Sequence, residues 1–363
     1  MDLSSIENFL FVPEPGTTAG ALYELNPSSG FNKDSFVLLP YQNPQVKASK
    51  PLFFKITKKS LVNDLGQFKK RMVAGPFELV ALTSKQAYLE NVKKLKKEIQ
   101  LGNIYEINYC TSFQTASVSI DPVAVFLKLF SLAKAPYSCF LKMGDEFIIS
   151  ASPELFLKKE NLFVYTKPIK GTTKRGQTIQ EDDALKNALH HNLKERTENV
   201  MAVDVARNDL SHFAKKGTVT VNKLYNIETF ETVHQMVSTV QCEIKDDMLK
   251  QTPGELFDQM MAATFPMASM TGAPKLRAMQ LIDATENFRR GSYSGAMGLI
   301  DENENYTLSV IIRSIFYNQK SHELSIAVGG AITYLSEPEK EYEECLLKAE
   351  ALLKALDASI VNP

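Results

Sequence analysis

The sequence predicts an α+β fold built on antiparallel sheet, and three observations carry that prediction. Short apolar runs follow one another as hairpins, long helices separate groups of them, and no Gly-, Ser- or Pro-rich linker divides the chain after residue 84. Strands alternating one by one with helices would instead point to a doubly wound parallel sheet. The composition, 44% hydrophobic and 23% charged over 363 residues, is that of an ordinary globular protein and excludes disorder of the whole chain. This length allows two or three domains or one large unit. The expected arrangement is a β-rich segment over residues 1–83, integrated into the fold, and a main unit over 84–357.

Turn formers crowd the first 80 residues: Pro13, Pro15, Gly16, Gly20, then Pro27 to Gly30, with strands expected at 36–39 and 52–56. From Ser84 the period changes. Tyr88, Val92, Leu95 and Ile99 recur at helical spacing, and Gly102 ends that helix. Lys93, Lys94, Lys96 and Lys97 fall on its other faces and read as a solvated side rather than a polyanion site. A strand is expected over 104–113, with Tyr105, Ile107, Tyr109 and Phe113 on one face and Glu106, Asn108 and Cys110 on the other. Asp121 and Pro122 open a helix to residue 134. A hairpin about Gly144-Asp145 follows, then a strand over 162–166, helix across 181–214 and strand over 218–228. The last third reads as strands 293–300, 306–317 and 324–334, then a helix 337–356 with Ser336 and Glu339 as a capping box.

Forty-one Lys+Arg against 42 Asp+Glu leave a net charge of −1, so no global charge draws the chain to nucleic acid or an anionic membrane. The longest uncharged run, 259–274, contains Pro266, Thr264, Ser269 and Gly272 and is too short and polar to span a bilayer. The first ten residues lack a basic segment followed by an apolar core. Cys110, Cys139, Cys242 and Cys345 are dispersed, as in a protein with reduced thiols. Together these predict a cytoplasmic location.

Several residue groups carry chemistry. Glu195 with Glu198, and Glu341 with Glu344, lie three apart on predicted helices; four such oxygen donors around one cavity would suit Mg²⁺. Spacing alone favours a plainer reading, since Glu344 with Lys348 is an ordinary i,i+4 pair. Lys170 leaves a strand beside Gly171 and is either part of a basic loop, an anion contact or an amine nucleophile. The last role needs help, because a free lysine is only ~0.1% neutral near pH 7.4. Glu154, after Pro153 at the end of an apolar strand, suits a general acid if buried and is a turn residue if not. Lys275 closes a Met-Thr-Gly-Ala-Pro-Lys stretch at a helix start, and Gly329-Gly330 permits close backbone approach to a ligand. Arg313 sits in the apolar run 308–316, where a guanidinium needs a carboxylate from the protein or a substrate. A lone histidine such as His234 is more often structural than catalytic.

In order along the chain, Gly102-Asn-Ile-Tyr-Glu-Ile-Asn108, Ala151-Ser-Pro-Glu-Leu-Phe156, Pro168-Ile-Lys-Gly-Thr172, the stretch Glu198 to Asp209, Thr232-Val-His-Gln-Met-Val-Ser238, Met270-Thr-Gly-Ala-Pro-Lys275, Arg290-Gly-Ser-Tyr-Ser-Gly295, Val328-Gly-Gly-Ala331 and Glu341-Tyr-Glu-Glu344 resemble the chorismate-utilising enzymes. The resemblance covers about 84–356 and only loosely residues 1–80. It implies two antiparallel sheets packed face to face with helices outside. Pro-Ile-Lys-Gly-Thr is similar to the aminodeoxychorismate synthase branch; anthranilate and isochorismate synthases usually carry alanine at the Lys170 position. For that branch the resemblance implies formation of 4-amino-4-deoxychorismate, toward p-aminobenzoate and folate. Lys170 would add to ring carbon C2 while Glu154 protonates the departing C4 hydroxyl, and ammonia would then displace the lysine. It further implies Mg²⁺ on Glu198 and Glu344, with Glu195 and Glu341 supporting. Arg313, Tyr293, Gly329, Gly330, Lys275, His234 and Thr172 would contact substrate. Ammonia would come from a separate glutamine amidotransferase subunit, since no glutaminase-like Cys-His-Glu set is visible.

Four features depart from the family pattern. Glu106 stands where glutamine is common and where isochorismate and salicylate synthases carry a water-activating lysine. Ala331 replaces a third glycine, the N-terminal segment is short, and the Leu-Leu-Glu-Ser stretch of feedback-regulated anthranilate synthases is missing. Anthranilate synthase component I is the competing expectation, and a catalytically silent chorismate-binding subunit is the reading from another class.

Overall fold

The computed structural model describes residues 3–41, 50–68, 76–231 and 233–361. The first segment supplies β1 (Asn8–Pro13), β2 (Gly20–Ser28), β3 (Ser35–Leu39), β4 (Leu52–Val62) and β5 (Phe77–Ala81). Helix α1 (Lys85–Gln100) leads into β6 (Glu106–Thr115), and α2 (Pro122–Ala133) into β7 (Tyr137–Met143), β8 (Glu146–Ser152), β9 (Leu155–Glu160), β10 (Phe163–Lys167) and β11 (Ile169–Lys174). Next come α3 (Ile179–His191), α4 (Leu193–Ser211), β12 (Thr220–Thr229), β13 (Val233–Glu243), α5 (Pro253–Thr264), the two-residue β14 (Gly272–Ala273) and α6 (Lys275–Thr285). The chain ends with β15 (Ala296–Ile300), β16 (Tyr306–Val310), β17 (Ser314–Asn318), β18 (Glu323–Ile332), α7 (Pro338–Leu356) and β19 (Ala358–Val361).

Hydrogen-bonded pairing runs unbroken from β13 through β10, β9, β16, β15, β3, β4, β2, β1, β7, β8, β17, β18, β6 and β5 to β19. The two layers expected from the sequence are therefore two arms of one ribbon, joined through β3, β4, β2 and β1. Among the described strand pairs all are antiparallel except β5 with β19. Side chains from both arms, among them Leu10, Phe36, Leu38, Leu141, Ile148 and Met297, meet in a buried cluster between them. The helices cover the outer faces. On one arm α1, α2 and α7 bury Tyr88, Phe126 and Leu352 against Ile107, Phe113 and Ile326. On the other, α4 and α5 bury Leu210 and Met260 against Leu157, Val240 and Leu308. No helix among the described residues is long and apolar enough to cross a membrane.

Three predicted elements change in detail. The helix expected across 181–214 is two helices, because Asn192 takes extended dihedrals and its Oδ1 accepts from the Glu195 N–H at 3.1 Å to start α4. The strand expected over 306–317 breaks at Arg313, whose φ is +51°. The Ser336/Glu339 capping box does not form. Pro338 forces the residue before it out of helical dihedrals, so Glu337 becomes the N-cap, and Ser336 Oγ instead accepts from the Thr333 N–H at 3.1 Å.

Candidate functional site

A cavity of ≈ 560 Å³ opens where β11, β13, the β8–β9 turn and β18 come together beneath α4 and α7. Glu154, Lys170, Thr172, Glu195, Glu198, Tyr293, Arg313, Gly329, Gly330 and Glu344, ten of the residues singled out from the sequence, line it. A larger cavity of ≈ 650 Å³ shares Tyr293 and Ala327 with it but contains none of the other predicted residues. The smaller one is the candidate site because charged groups with displaced pKa values converge there.

Lys170 is aimed into the cavity by a bulge. On β11, Ile169 pairs with Val237 and Thr172 with Gln235, so three steps on one strand match two on the other. Gly171 takes up the kink at φ +91°, and a Cβ there would lie 2.9 Å from Glu195 Oε2. Lys170 Nζ then donates to Glu106 Oε1 at 2.5 Å, with both side chains buried. Burial disfavours the ammonium, but Glu106, Glu198 and Glu154 overcome it and hold its pKa above the usual lysine value. Lys170 therefore rests as an ammonium ion, the opposite of the lowered pKa that a free nucleophilic lysine requires. Glu154 is 3% exposed and accepts from the Ile169 N–H at 3.2 Å. Burial lifts its carboxyl to about 7 against the pull of that N–H and of Lys170 and Lys348, so it can hold a proton near neutrality.

The four carboxylates divide unequally. Glu195, Glu198 and Glu344 face the cavity, and Glu341 is buried behind them with Oε1 3.2 Å from Lys194 Nζ. Lys194 also lies 3.8 Å from Glu198 Oε1, an atom that is buried and has no hydrogen-bond partner. Burial raises Glu198 to about 7, with Lys170 opposing. Glu344 stays below its ordinary value although its partial burial opposes this, because Lys348 holds it at 2.7 Å. Among the described residues no three acidic, histidine or cysteine side chains are grouped so that they could hold a metal ion. The donor atoms are hard oxygens of the kind Mg²⁺ takes, and Glu198 Oε1 is without a partner; beside Gly330, a Cβ would stand 3.6 Å from both Glu341 Oε2 and Lys348 Nζ and 3.8 Å from Glu344 Oε1.

Arg313 occupies a left-handed backbone conformation that arginine rarely adopts, at the break between β16 and β17. It lines the cavity, and no hydrogen bond or ion pair engages its guanidinium among the described residues. Burial lowers its pKa, as expected of a cation waiting for an anion. The Tyr293 hydroxyl lies beside it in the wall and accepts from Cys110 Sγ at 3.8 Å. Gly329 is required by packing, because a Cβ would meet Cys110 Sγ at 2.3 Å.

Two predicted contacts are not brought to the cavity. Lys275 Nζ is tied to Asp209 Oδ2 at 2.6 Å and the Thr264 carbonyl at 2.9 Å, and it does not line the wall. His234 turns away, its ring nitrogens 3.0 Å from Asp182 Oδ1 and Thr229 Oγ1. Adjacent strand residues face opposite sides, so the β13 residues in the wall are Val233 and Gln235, the latter with Oε1 buried and unpaired. Thr232, which opens that motif, lies outside the described residues. Sequence reasoning also passed over Lys194, although it stands four before Glu198, and gave Lys348 only a surface pairing. Lys348 in fact donates to the Gly329 carbonyl at 2.8 Å from the cavity wall.

The family described as chorismate binding enzyme matches residues 47–354. An aminodeoxychorismate synthase from Streptomyces griseus is 39% identical over 286 residues, 78% of this chain and 38% of that protein. An anthranilate synthase component 1 from Acetivibrio thermocellus is 39% identical over 274 residues, 76% of this chain and 53% of that protein. The chain thus spans well under two thirds of the length of either relative. In architecture it is similar to MenF, the menaquinone-specific isochorismate synthase from Escherichia coli, with a TM-score of 0.77 at 15% identity over 98% of this chain and 90% of that one.

Proposed function

The chain belongs to the chorismate binding enzyme family, and from that premise we propose that it forms 4-amino-4-deoxychorismate from chorismate and ammonia, as an aminodeoxychorismate synthase component I. The observation that carries this reading is Lys170, delivered by a bulge into the cavity with Glu106 on its nitrogen and the buried acid Glu154 close enough to affect its charge. A lysine in that place supplies an amine that can add to the ring and later leave, which splits one hard substitution into two easier ones. Glu154, half protonated near pH 7, is suited to protonate the departing hydroxyl.

Arg313 and Tyr293 would receive the enolpyruvyl carboxylate, with Thr172 and the Gly329-Gly330 backbone completing the wall. Glu198 and Glu344, supported by Glu195 and Glu341, would hold Mg²⁺, which when bound neutralises the ring carboxylate of the substrate. Lys194 and Lys348 share that neutralising role from the protein side. Ammonia would be delivered by a separate glutamine amidotransferase subunit. A cytoplasmic setting agrees with four free, buried cysteines.

The test is product identity. Purified chain with chorismate, Mg²⁺ and an ammonium salt is expected to give a product that keeps its enolpyruvyl group and carries an amine in place of a hydroxyl. Anthranilate with released pyruvate would instead assign it to the branch of the Acetivibrio relative. In the same assay Lys170→Ala is expected to lose at least about a hundredfold in turnover; full activity in that variant would remove the covalent route.

A further inference from the structure

We infer that Glu106 is the base that takes the proton from Lys170 when the lysine becomes a nucleophile, and that returns it when the lysine is released. The inference rests on the reading of Lys170 as the attacking amine and adds the group that makes such an amine possible. Lys170 Nζ and Glu106 Oε1 are 2.5 Å apart, so a proton can move along an existing hydrogen bond with no side-chain rearrangement. Both groups are more than nine-tenths buried. In such a place a neutral amine beside a neutral carboxyl removes two desolvated charges at once, which keeps the alternative tautomer within reach.

The other charged groups facing Lys170 are less suited to the role. Glu154, from the β8–β9 turn, must carry its own proton to the leaving hydroxyl, and Glu195 and Glu198, from α4, with Glu344, from α7, face the proposed cation position. Glu106 is fixed by the start of β6, where Ala273 pairs with it and Gly272 packs against its carbonyl. A glutamine in its place could orient Lys170 but could not accept its proton, which is the chemical content of this chain's departure at residue 106.

The proton and electron balance closes. Lys170 passes one proton to Glu106, and the neutral amine donates its lone pair to C2. Both conjugated ring double bonds shift, C1=C2 to C1=C6 and C5=C6 to C4=C5, and the C4–O bond breaks, with the oxygen leaving as water on the proton of Glu154. Ammonia then adds at C4, both ring double bonds shift back, and the C2–N bond breaks with its electrons returning to Nζ. Glu106 reprotonates Nζ, and the new C4 ammonium passes a proton to Glu154, which restores both residues.

The experiment compares the parent with Glu106→Gln and Glu106→Asp in two assays. With chorismate, Mg²⁺ and ammonium, Glu106→Gln is expected to lose about a hundredfold or more in kcat while KM for chorismate stays within about threefold. Glu106→Asp, which keeps a carboxylate, is expected to recover at least about tenfold of that loss. The second assay needs no turnover: reductive methylation by formaldehyde and borohydride across pH, with Lys170 mapped by mass spectrometry. Lys170 is expected to react at lower pH in both variants than in the parent, and Glu106→Asp carries that comparison if Glu106→Gln fails to fold. A Glu106→Gln enzyme with parental kcat, or labelling curves that coincide, overturns the inference. An active Lys170→Ala enzyme overturns the covalent reading beneath it, whereas an inactive Lys170→Ala beside a fully active Glu106→Gln overturns only the role of Glu106.

Discussion

At the scale of single residues, position in the wall decides which charges serve the cavity and which serve the fold. Lys275 and Arg313 both read from the sequence as substrate contacts. Lys275 is satisfied by Asp209 and a backbone carbonyl, whereas the Arg313 guanidinium has no partner among the described residues. Lys275→Met should therefore cost stability, about 3 kcal/mol because it strands a buried carboxylate, and leave KM for chorismate within about twofold. Arg313→Met should do the reverse, raising KM with little change in melting temperature; thermal denaturation beside initial-rate kinetics separates the two. The acid also gives a pH signature. Glu154 must be protonated to act and its carboxyl lies near 7, so kcat/KM in the free enzyme should fall as pH rises through about 7. Glu154→Gln should be slow and lack that fall; a parental profile level from pH 6 to 9 would contradict the assignment.

Elements set the aim of these residues, and here the sequence was legible to different depths. Helix α1 was readable in full: Ser84 caps it by accepting from the Ala87 N–H, and Gly102 follows its end at φ +75°. The two faces of β6 were clear from Glu106 on, with Ile107, Tyr109 and Phe113 in the core and Glu106 turned to the site, but Tyr105, expected with the core face, precedes the strand and is exposed. What escaped was anything set by partners distant in the chain. The bulge at Lys170 depends on the register against β13, and the choice of Gln235 over His234 depends on which face of β13 meets the cavity. The motif order exposed most of the site because each motif is local; Lys194 and Lys348 were lost because a lysine near glutamates looks the same on a surface and in a pocket. Asn192 shows how a small local signal positions chemistry. It restarts the helix one turn before Glu195, so Asn192→Ala should cost about 1 kcal/mol and weaken Mg²⁺ binding through a displaced Glu195. Melting curves and calorimetric titration of Mg²⁺ would measure both, and unchanged binding would mean the cap does not set the carboxylate.

For the whole molecule, the buried acids make stability a function of pH. Burial raises Glu154 to about 7 and Asp209 to about 6, above their ordinary carboxylate values. The folded state therefore holds these protons more tightly than the unfolded chain. The stability they contribute is fully present below about pH 4 and is lost as pH rises through 6 to 7. The metal-free protein should melt a few degrees lower at pH 8 than at pH 5.5, after the general effect of acid on its surface pairs is matched with an Asp209→Asn, Glu154→Gln control. A melting temperature that rises steadily over that interval would show that other groups dominate.

The continuous ribbon has a consequence for how the protein is made. Leu39 of β3 pairs with Ala296 of β15, and Phe77 of β5 pairs with Ala358 of β19. During synthesis the early strands therefore leave the ribosome long before their neighbours exist, with backbone edges open to any other extended chain. The arm that holds β5 cannot finish pairing until β19 emerges, and the other arm waits for β15 and β16. A sheet that closes so late should fold slowly, and it exposes the nascent chain to misassociation throughout its elongation.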